Sequence, residues 1–179
     1  MMKTSLLAII AFLLFISPIF GAERAPIDVN LIIDGSQGFA GVKNEVTVWL
    51  IDRLDHVLAT GDSVTVWNAG ARASIVFSGR IDNASDKEAV RRAIRDFSVS
   101  GNNADFGGAL QEAARRQNTA FTYTLLISSS ASALTSTLSG PHANLLRFSR
   151  VQEFAGWRAL TVGLNLDARV RNAAAAFFN

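Results

Sequence analysis

Residues 27–33 read Ile-Asp-Val-Asn-Leu-Ile-Ile, apolar and β-branched toward the end, as a buried central strand does. A polar break follows at Asp34-Gly35-Ser36-Gln37-Gly38. Phe39, Val42, Val46, Leu50, Leu54 and Val57 then recur at spacings of three and four, the stripe of an amphipathic helix lying on a sheet. That helix is predicted to stop near Thr60-Gly61-Asp62. Residues 63–67 and 71–77 are strand-like and joined by Asn68-Ala69-Gly70, which predicts a hairpin and an antiparallel sheet edge.

Ser85-Asp86-Lys87-Glu88 reads as a capping box, with Ser85 as N-cap, opening a helix whose buried stripe is Ala89, Val90, Ala93, Ile94 and Phe97. After the turn-rich loop 101–105, residues 106–116 form a short helix and 123–127 a second apolar strand ending in Ser128-Ser129-Ser130. Residues 144–154 are expected to be helical, 157–164 a strand, and 168–178 an alanine-rich closing helix. Strands alternating with helices predict a doubly wound α/β fold: a mostly parallel sheet with one antiparallel edge strand and helices on both faces. Ligands of such sheets bind beyond the carboxyl ends of the strands, which points to the loops 34–38, 101–105 and 128–132.

The first residues change the setting of this domain. Met1-Met2-Lys3 gives a short positive start, residues 6–20 are apolar apart from Ser17 and Pro18, and Gly21-Ala22 are small. Residues 1–22 are expected to be a secretory signal peptide, with an uncleaved anchor as the alternative, and 23–179 the domain. The expected location is periplasmic or secreted, with membrane contact only through the N-terminal segment.

Composition removes several chemistries. The chain has 179 residues, 49% hydrophobic and 18% charged, which suits one well-packed domain. Its formal charge of +2 falls to about +1 without Lys3, and the densest basic cluster is Arg91, Arg92 and Arg95, so a nucleic-acid partner is not expected. With no cysteine there are no disulfides, thiolate nucleophiles or thiolate zinc sites, and the two histidines, His56 and His142, are far apart. No phosphate-binding glycine motif is present. Trp49, Trp67 and Trp157 fall inside predicted elements and are expected to pack.

The three loops, in their order, resemble those of the von Willebrand factor A domain over about residues 27–178. The segments that carry the likeness are Asp34-Gly35-Ser36-Gln37-Gly38, the loop Gly101-Asn102-Asn103-Ala104-Asp105 leading into Phe106-Gly107-Gly108-Ala109-Leu110, and Leu126-Ile127-Ser128-Ser129-Ser130. The resemblance implies a metal-ion-dependent adhesion site built from an Asp and two Ser hydroxyls, a Thr and a second Asp. It would be completed by an acidic group of a partner protein, a donor set suited to Mg²⁺. Here Asp34 and Ser36 match. Gly38 stands at the second Ser, Ala104 at the Thr and Ser129 at the second Asp, with Asp105 adjacent. No metal or other cofactor is therefore expected; a residual Mg²⁺ site would use Asp34, Ser36 and Asp105.

Gly35-Ser36-Gln37-Gly38 superficially resembles a nucleophile elbow, but that motif needs Gly where Asp34 stands, and neither histidine lies where a triad would need it. The expected function is a non-catalytic extracytoplasmic interaction or assembly module whose partner is another protein and whose metal site is eroded. The alternatives are a Mg²⁺-dependent adhesion-type binding domain and a serine hydrolase using the Asp34/Ser36 loop.

Overall fold

The computed structural model describes residues 25–116, 122–132 and 150–162. Strand β1 (Asp28–Asp34) is buried along its whole length, as its unbroken apolar end requires. It pairs in parallel with β2 (Ser63–Ala69) on one side and β4 (Thr122–Ser129) on the other. β3 (Ala73–Arg80) lies antiparallel to β2, β6 (Trp157–Val162) antiparallel to β4, and β5 (Arg150–Glu153) antiparallel to β6. The sheet order is β3-β2-β1-β4-β6-β5.

Three helices are described: α1 (Lys43–Val57), preceded by a 3₁₀ turn at Gln37–Phe39, α2 (Ala84–Asp96) and α3 (Phe106–Arg115). One face of the sheet packs Leu31 and Ile33 of β1 against Val46, Leu50 and Leu54 of α1 and Val90 and Ile94 of α2. The other packs Ile32, Trp67 and Leu126 against Phe106, Ala109, Leu110 and Ala113 of α3. The period-2 alternation of β1 thus feeds two cores, and helices lie on both faces, as a doubly wound α/β fold demands.

Three details depart from expectation. First, the parallel centre and the antiparallel β3 edge are as expected, but antiparallel pairing also flanks the other side. Residues 150–153, expected to end a helix over 144–154, form β5 instead. Gly156, at φ +89, closes β5 onto β6, with the Phe154 N–H donating to the Trp157 carbonyl at 2.8 Å. A hairpin this tight forces antiparallel strands. Second, α2 is capped by Asn83 rather than Ser85. The Asn83 side chain accepts from the Ser85 and Asp86 N–H groups, and Asp86 accepts in turn from the Asn83 N–H at 3.0 Å. The box is real but begins two residues earlier, because the chain leaves β3 directly into it. Third, the pairing of β2 and β3 slips between Val66/Phe77 and Trp67/Ile75, leaving Val76 as the extra residue of a bulge on the edge strand.

The tryptophans pack as expected. Trp67 and Trp157 are buried, and Trp49 packs partly buried with its ring 5.2 Å from that of Trp157. Phe154 stacks on Trp157 at 3.8 Å, and Trp157 Nε1 donates to Glu45 Oε1 at 2.9 Å, tying β6 to α1. The expected leader over 1–22 and the closing helix over 168–178 lie outside the described residues. Among the described residues no helix is long and apolar enough to cross a membrane.

Candidate functional site

The loop after β1, the end of β2 and the α2–α3 loop meet at the carboxyl end of the parallel strands, beside the loop after β4, and are stitched by main-chain bonds. The Gly35 N–H donates to Ala69 O at 3.0 Å, Ser100 N–H to Gly35 O at 2.7 Å, and Gln37 N–H to Gly101 O at 2.8 Å. Gly35 has no room for a side chain: a Cβ there would stand 1.8 Å from Asn68 Oδ1. Asn68 Nδ2 donates to Ser98 O at 2.7 Å, which fixes the loop on its far side.

Asp34 is the last residue of β1 and has no exposed surface. Its carboxylate is held on both oxygens. Oδ1 accepts from the Ser36 N–H at 2.9 Å and the Ser36 hydroxyl at 2.6 Å. Oδ2 accepts from the Ser129 N–H at 3.1 Å and the Ser132 hydroxyl at 2.6 Å. The Ser129 and Ser132 hydroxyls lie 2.9 Å apart. Arg158 of β6 completes the arrangement: its Nε donates to Ser128 Oγ at 3.1 Å, and its guanidinium also donates to the Ser132 carbonyl. Buried polar atoms need such partners, and this carboxylate has four.

Of the residues read from the sequence, Asp34, Ser36, Gly38 and Ser129 come together. A Cβ on Gly38 would stand 3.5 Å from Ser129 Oγ and 3.7 Å from Ser36 Oγ, ordinary contact distances. Ala104 packs instead against the core beneath α3. Asp105 is engaged elsewhere: its side chain caps α3 through the Gly108 N–H at 2.9 Å and accepts from the Ala73 N–H at 3.2 Å. Both bonds serve the α3 start and the β2–β3 turn. Among the described residues there is no group of three or more His, Asp or Glu side chains that could share a metal ion.

Sequence reasoning missed Ser132, Arg158 and Asn68. Ser132 lies within the polar loop 128–132, but nothing in a serine-rich stretch says which hydroxyl turns back to β1. Arg158 reaches the site only because β6 runs beside β4 with Ser128 and Arg158 in register.

The surface that these loops present to solvent is mostly polar and uncharged, with Arg72 of the β2–β3 turn an exposed charge on it. Gln37, Gly38, Asn102, Asn103 and Ser130 are exposed, while the one carboxylate at the centre is sealed beneath them.

No family model matches the chain, and no curated protein does. Among solved structures it is similar to a von Willebrand factor type A protein from Catenulispora acidiphila, at 17% identity over 51% of this chain and 23% of that one, with a TM-score of 0.43. It is similar also to proximal thread matrix protein 1 from the mussel byssus, solved with a zinc-occupied MIDAS motif, at 21% identity over 52% and 25% with a TM-score of 0.43. The PilB minor pilin from Streptococcus sanguinis overlaps more of the chain, 87%, and 46% of its own, at 13% identity and a TM-score of 0.45. The aligned part spans about a quarter of the length of the first two proteins. The fold is defined by the chain's own sheet order and helix placement.

Proposed function

We propose that this chain is a non-catalytic extracytoplasmic module that binds or assembles with another protein through the loops at the carboxyl ends of β1, β2 and β4. The observation that carries the reading is the Asp34 carboxylate, buried and bonded to four donors of its own chain. As placed, these groups do not fit a magnesium ion. Mg²⁺ requires lone pairs of several oxygens in near-octahedral array. Here Asp34 already accepts from four donors, Asp105 is occupied by two main-chain N–H groups, and Gly38 and Ala104 offer no side-chain oxygen, so the hydroxyls of Ser36 and Ser132, whose lone pairs stay open, are too few to build that array. The metal site is read as eroded, its carboxylate now a structural tie between β1 and the β4 loop.

The same bonds argue against a hydrolase. Ser36 Oγ donates to a carboxylate rather than to an imidazole. His56, on the exposed side of α1, donates from Nδ1 to the Asp52 carbonyl at 2.8 Å. His142 lies outside the described residues. A loop face with Arg72 as its exposed charge and otherwise polar, uncharged residues suits a protein partner, since charged residues are depleted at the centres of such interfaces. The extracytoplasmic setting rests on the leader-like residues 1–22.

Three measurements on the full chain test this reading. Its melting temperature is expected to be the same, within about 1 °C, in millimolar MgCl₂ and in chelator. Hydrolysis of p-nitrophenyl acetate is expected to be unchanged by Ser36→Ala. Capture of a partner from an envelope extract is expected to survive chelator and to be lost when Gln37 and Asn102 are changed to Arg. A magnesium-dependent shift of several degrees that Asp34→Ala removes would sink the eroded-site reading. Turnover that depends on Ser36 would sink the non-catalytic one.

A further inference from the structure

The face of the sheet beneath α3 turns from apolar to polar along its length. Ile32 pairs with Trp67 and Leu126, and Trp67 with Ile75, an apolar row that α3 covers. One step toward the amino ends of the parallel strands, Asn30 pairs with Thr65 and Thr124, and Thr65 with Ser78. One step further, Asp28 pairs with Ser63 and Thr122. The β1–β3 part of these rows floors a cavity of about 530 Å³, walled on one side by Arg115 and Arg116 at the C-terminal end of α3. Thr122 and Thr124 lie outside it. Its volume falls among those of small-molecule sites, ~300–1,000 Å³.

The lining narrows what the cavity can hold. Its floor presents no aliphatic or aromatic side chain, because Val29 belongs to the core on the other face and Gly79 contributes only main chain. The groups that it does present are neutral donors and acceptors. Asn30 is 6% exposed, and its Oδ1 accepts from Trp67 Nε1 at 3.2 Å, which fixes the amide plane. Asn30 Nδ2 has no partner among the described residues. The Thr65 and Ser78 hydroxyls share one hydrogen bond at 3.2 Å, leaving one of their two protons for a ligand. Charge is close to balanced. Arg115 is paired with Glu112, and the Arg116 guanidinium, over the Trp67 ring at 5.7 Å, shares the cavity with the Asp28 carboxyl and the carbonyl end of α3. Asp28 is already engaged by its own chain and counts only toward that balance. An ion of either sign would give up its water with no net opposite charge to replace it.

We propose that this cavity binds a neutral sugar, with Asn30 Nδ2 and Arg116 donating to its hydroxyls and Ser63, Thr65 and Ser78 exchanging hydrogen bonds with them. A sugar hydroxyl both donates and accepts, so it meets the fixed donor of Asn30 and the lone pairs of the strand hydroxyls alike. These groups form a grid, ~4.8 Å between neighbouring strands and ~7 Å between Ser63 and Thr65 along β2. A ring with hydroxyls around its rim matches a grid of side chains, whereas a peptide main chain pairs along a strand edge. An apolar ligand finds no surface on this floor. The site lies at the opposite end of the parallel strands from the loop face and does not depend on it.

Titration of the full chain with glucose, galactose, mannose and N-acetylglucosamine, followed by amide NMR signals, tests the assignment. Glucuronate and glucosamine serve as charged counterparts. The best neutral sugar is expected to bind in the millimolar range, to shift the Asn30 side-chain amide signals, and to exceed either charged sugar at least about three-fold, since a buried charge lacks compensation here. Ser78→Ala, Thr65→Val and Arg116→Gln are each expected to weaken it several-fold while the melting temperature stays within about 2 °C of the parent. Ser78 is exposed, so its variant tests the site even if Thr65→Val disturbs the strand. No saturable shift with any neutral sugar, tighter binding of glucuronate or glucosamine, or affinity unmoved by Ser78→Ala and Arg116→Gln would overturn the proposal.

Discussion

Ser132 donates its hydroxyl to Asp34 Oδ2 at 2.6 Å, closing the loop after β4 over the end of β1. With Ser36 and Ser129 it makes one carboxylate the common acceptor for two loops that are remote in sequence. Asp34→Ala strands four donors at once. The loss in unfolding free energy is expected to be about 3 kcal/mol or more, read from urea denaturation, because each buried donor left without an acceptor costs ~1–3 kcal/mol. Ser132→Ala removes one bond of the four and is expected to cost about 1 kcal/mol. Equal losses for the two variants would show that Asp34 is not the shared hub.

The start of α2 offers a sharper contrast. Asn83→Ala removes the side chain that accepts from Ser85 and Asp86, and is expected to cost ~1 kcal/mol in chemical denaturation. Ser85→Ala, at the position that the sequence pattern favoured as cap, is expected to stay within about 0.5 kcal/mol of the parent. The opposite order would restore Ser85 as the cap.

Electrostatics between α1 and α2 predict a pH dependence. Hydrogen bonds from Arg91 and then Arg95 hold the Glu88 carboxyl below its usual range, and Arg91, raised chiefly by Asp55, bridges to α1. A lowered folded-state value means that the unfolded chain takes up the proton first as pH falls. The contribution is therefore present above the ordinary carboxyl range and is lost on acidification through the lowered value. The pair is solvent-exposed, so the effect is small and salt-screened. Melting temperature measured between about pH 6 and pH 3 is expected to fall less steeply for Glu88→Gln than for the parent, with the difference shrinking in about 0.5 M NaCl. Parallel curves at low salt would exclude this clip from the acid response.

Much of this architecture is written locally. The β-branched run ending at Ile33 and the three-and-four stripe from Val46 to Val57 bury what their periodicity dictates, and the expected hairpin forms, but its turn is residues 70–72, because Asn68 and Ala69 continue β2 and pair with Ser74 and Ala73. Where local pattern misled, a tertiary partner decided. Val151 and Phe154 could belong to a helical stripe, but Gly156 and the stacking of Phe154 on Trp157 hold that segment as a hairpin against β6. The site divides in the same way. Asp34 was visible because it ends an apolar strand at a polar break. Its replacement donor Ser132 was not, since it turns back from the loop after β4, and neither was Arg158, which β4–β6 pairing sets against Ser128 Oγ and the Ser132 carbonyl. The polar rows of the α3-side face were equally hidden: Asn30, Thr65, Ser78 and Thr124 look like isolated interruptions until register lines them up.

The bulge at Val76 has a bearing on growth in the plane of the sheet. It breaks β3 into two short runs, and β5 at the far border is only four residues long. Neither border offers a straight template on which a further chain could continue the ladder. Copies of this domain could therefore sit side by side at high local concentration without fusing into a continuous ribbon.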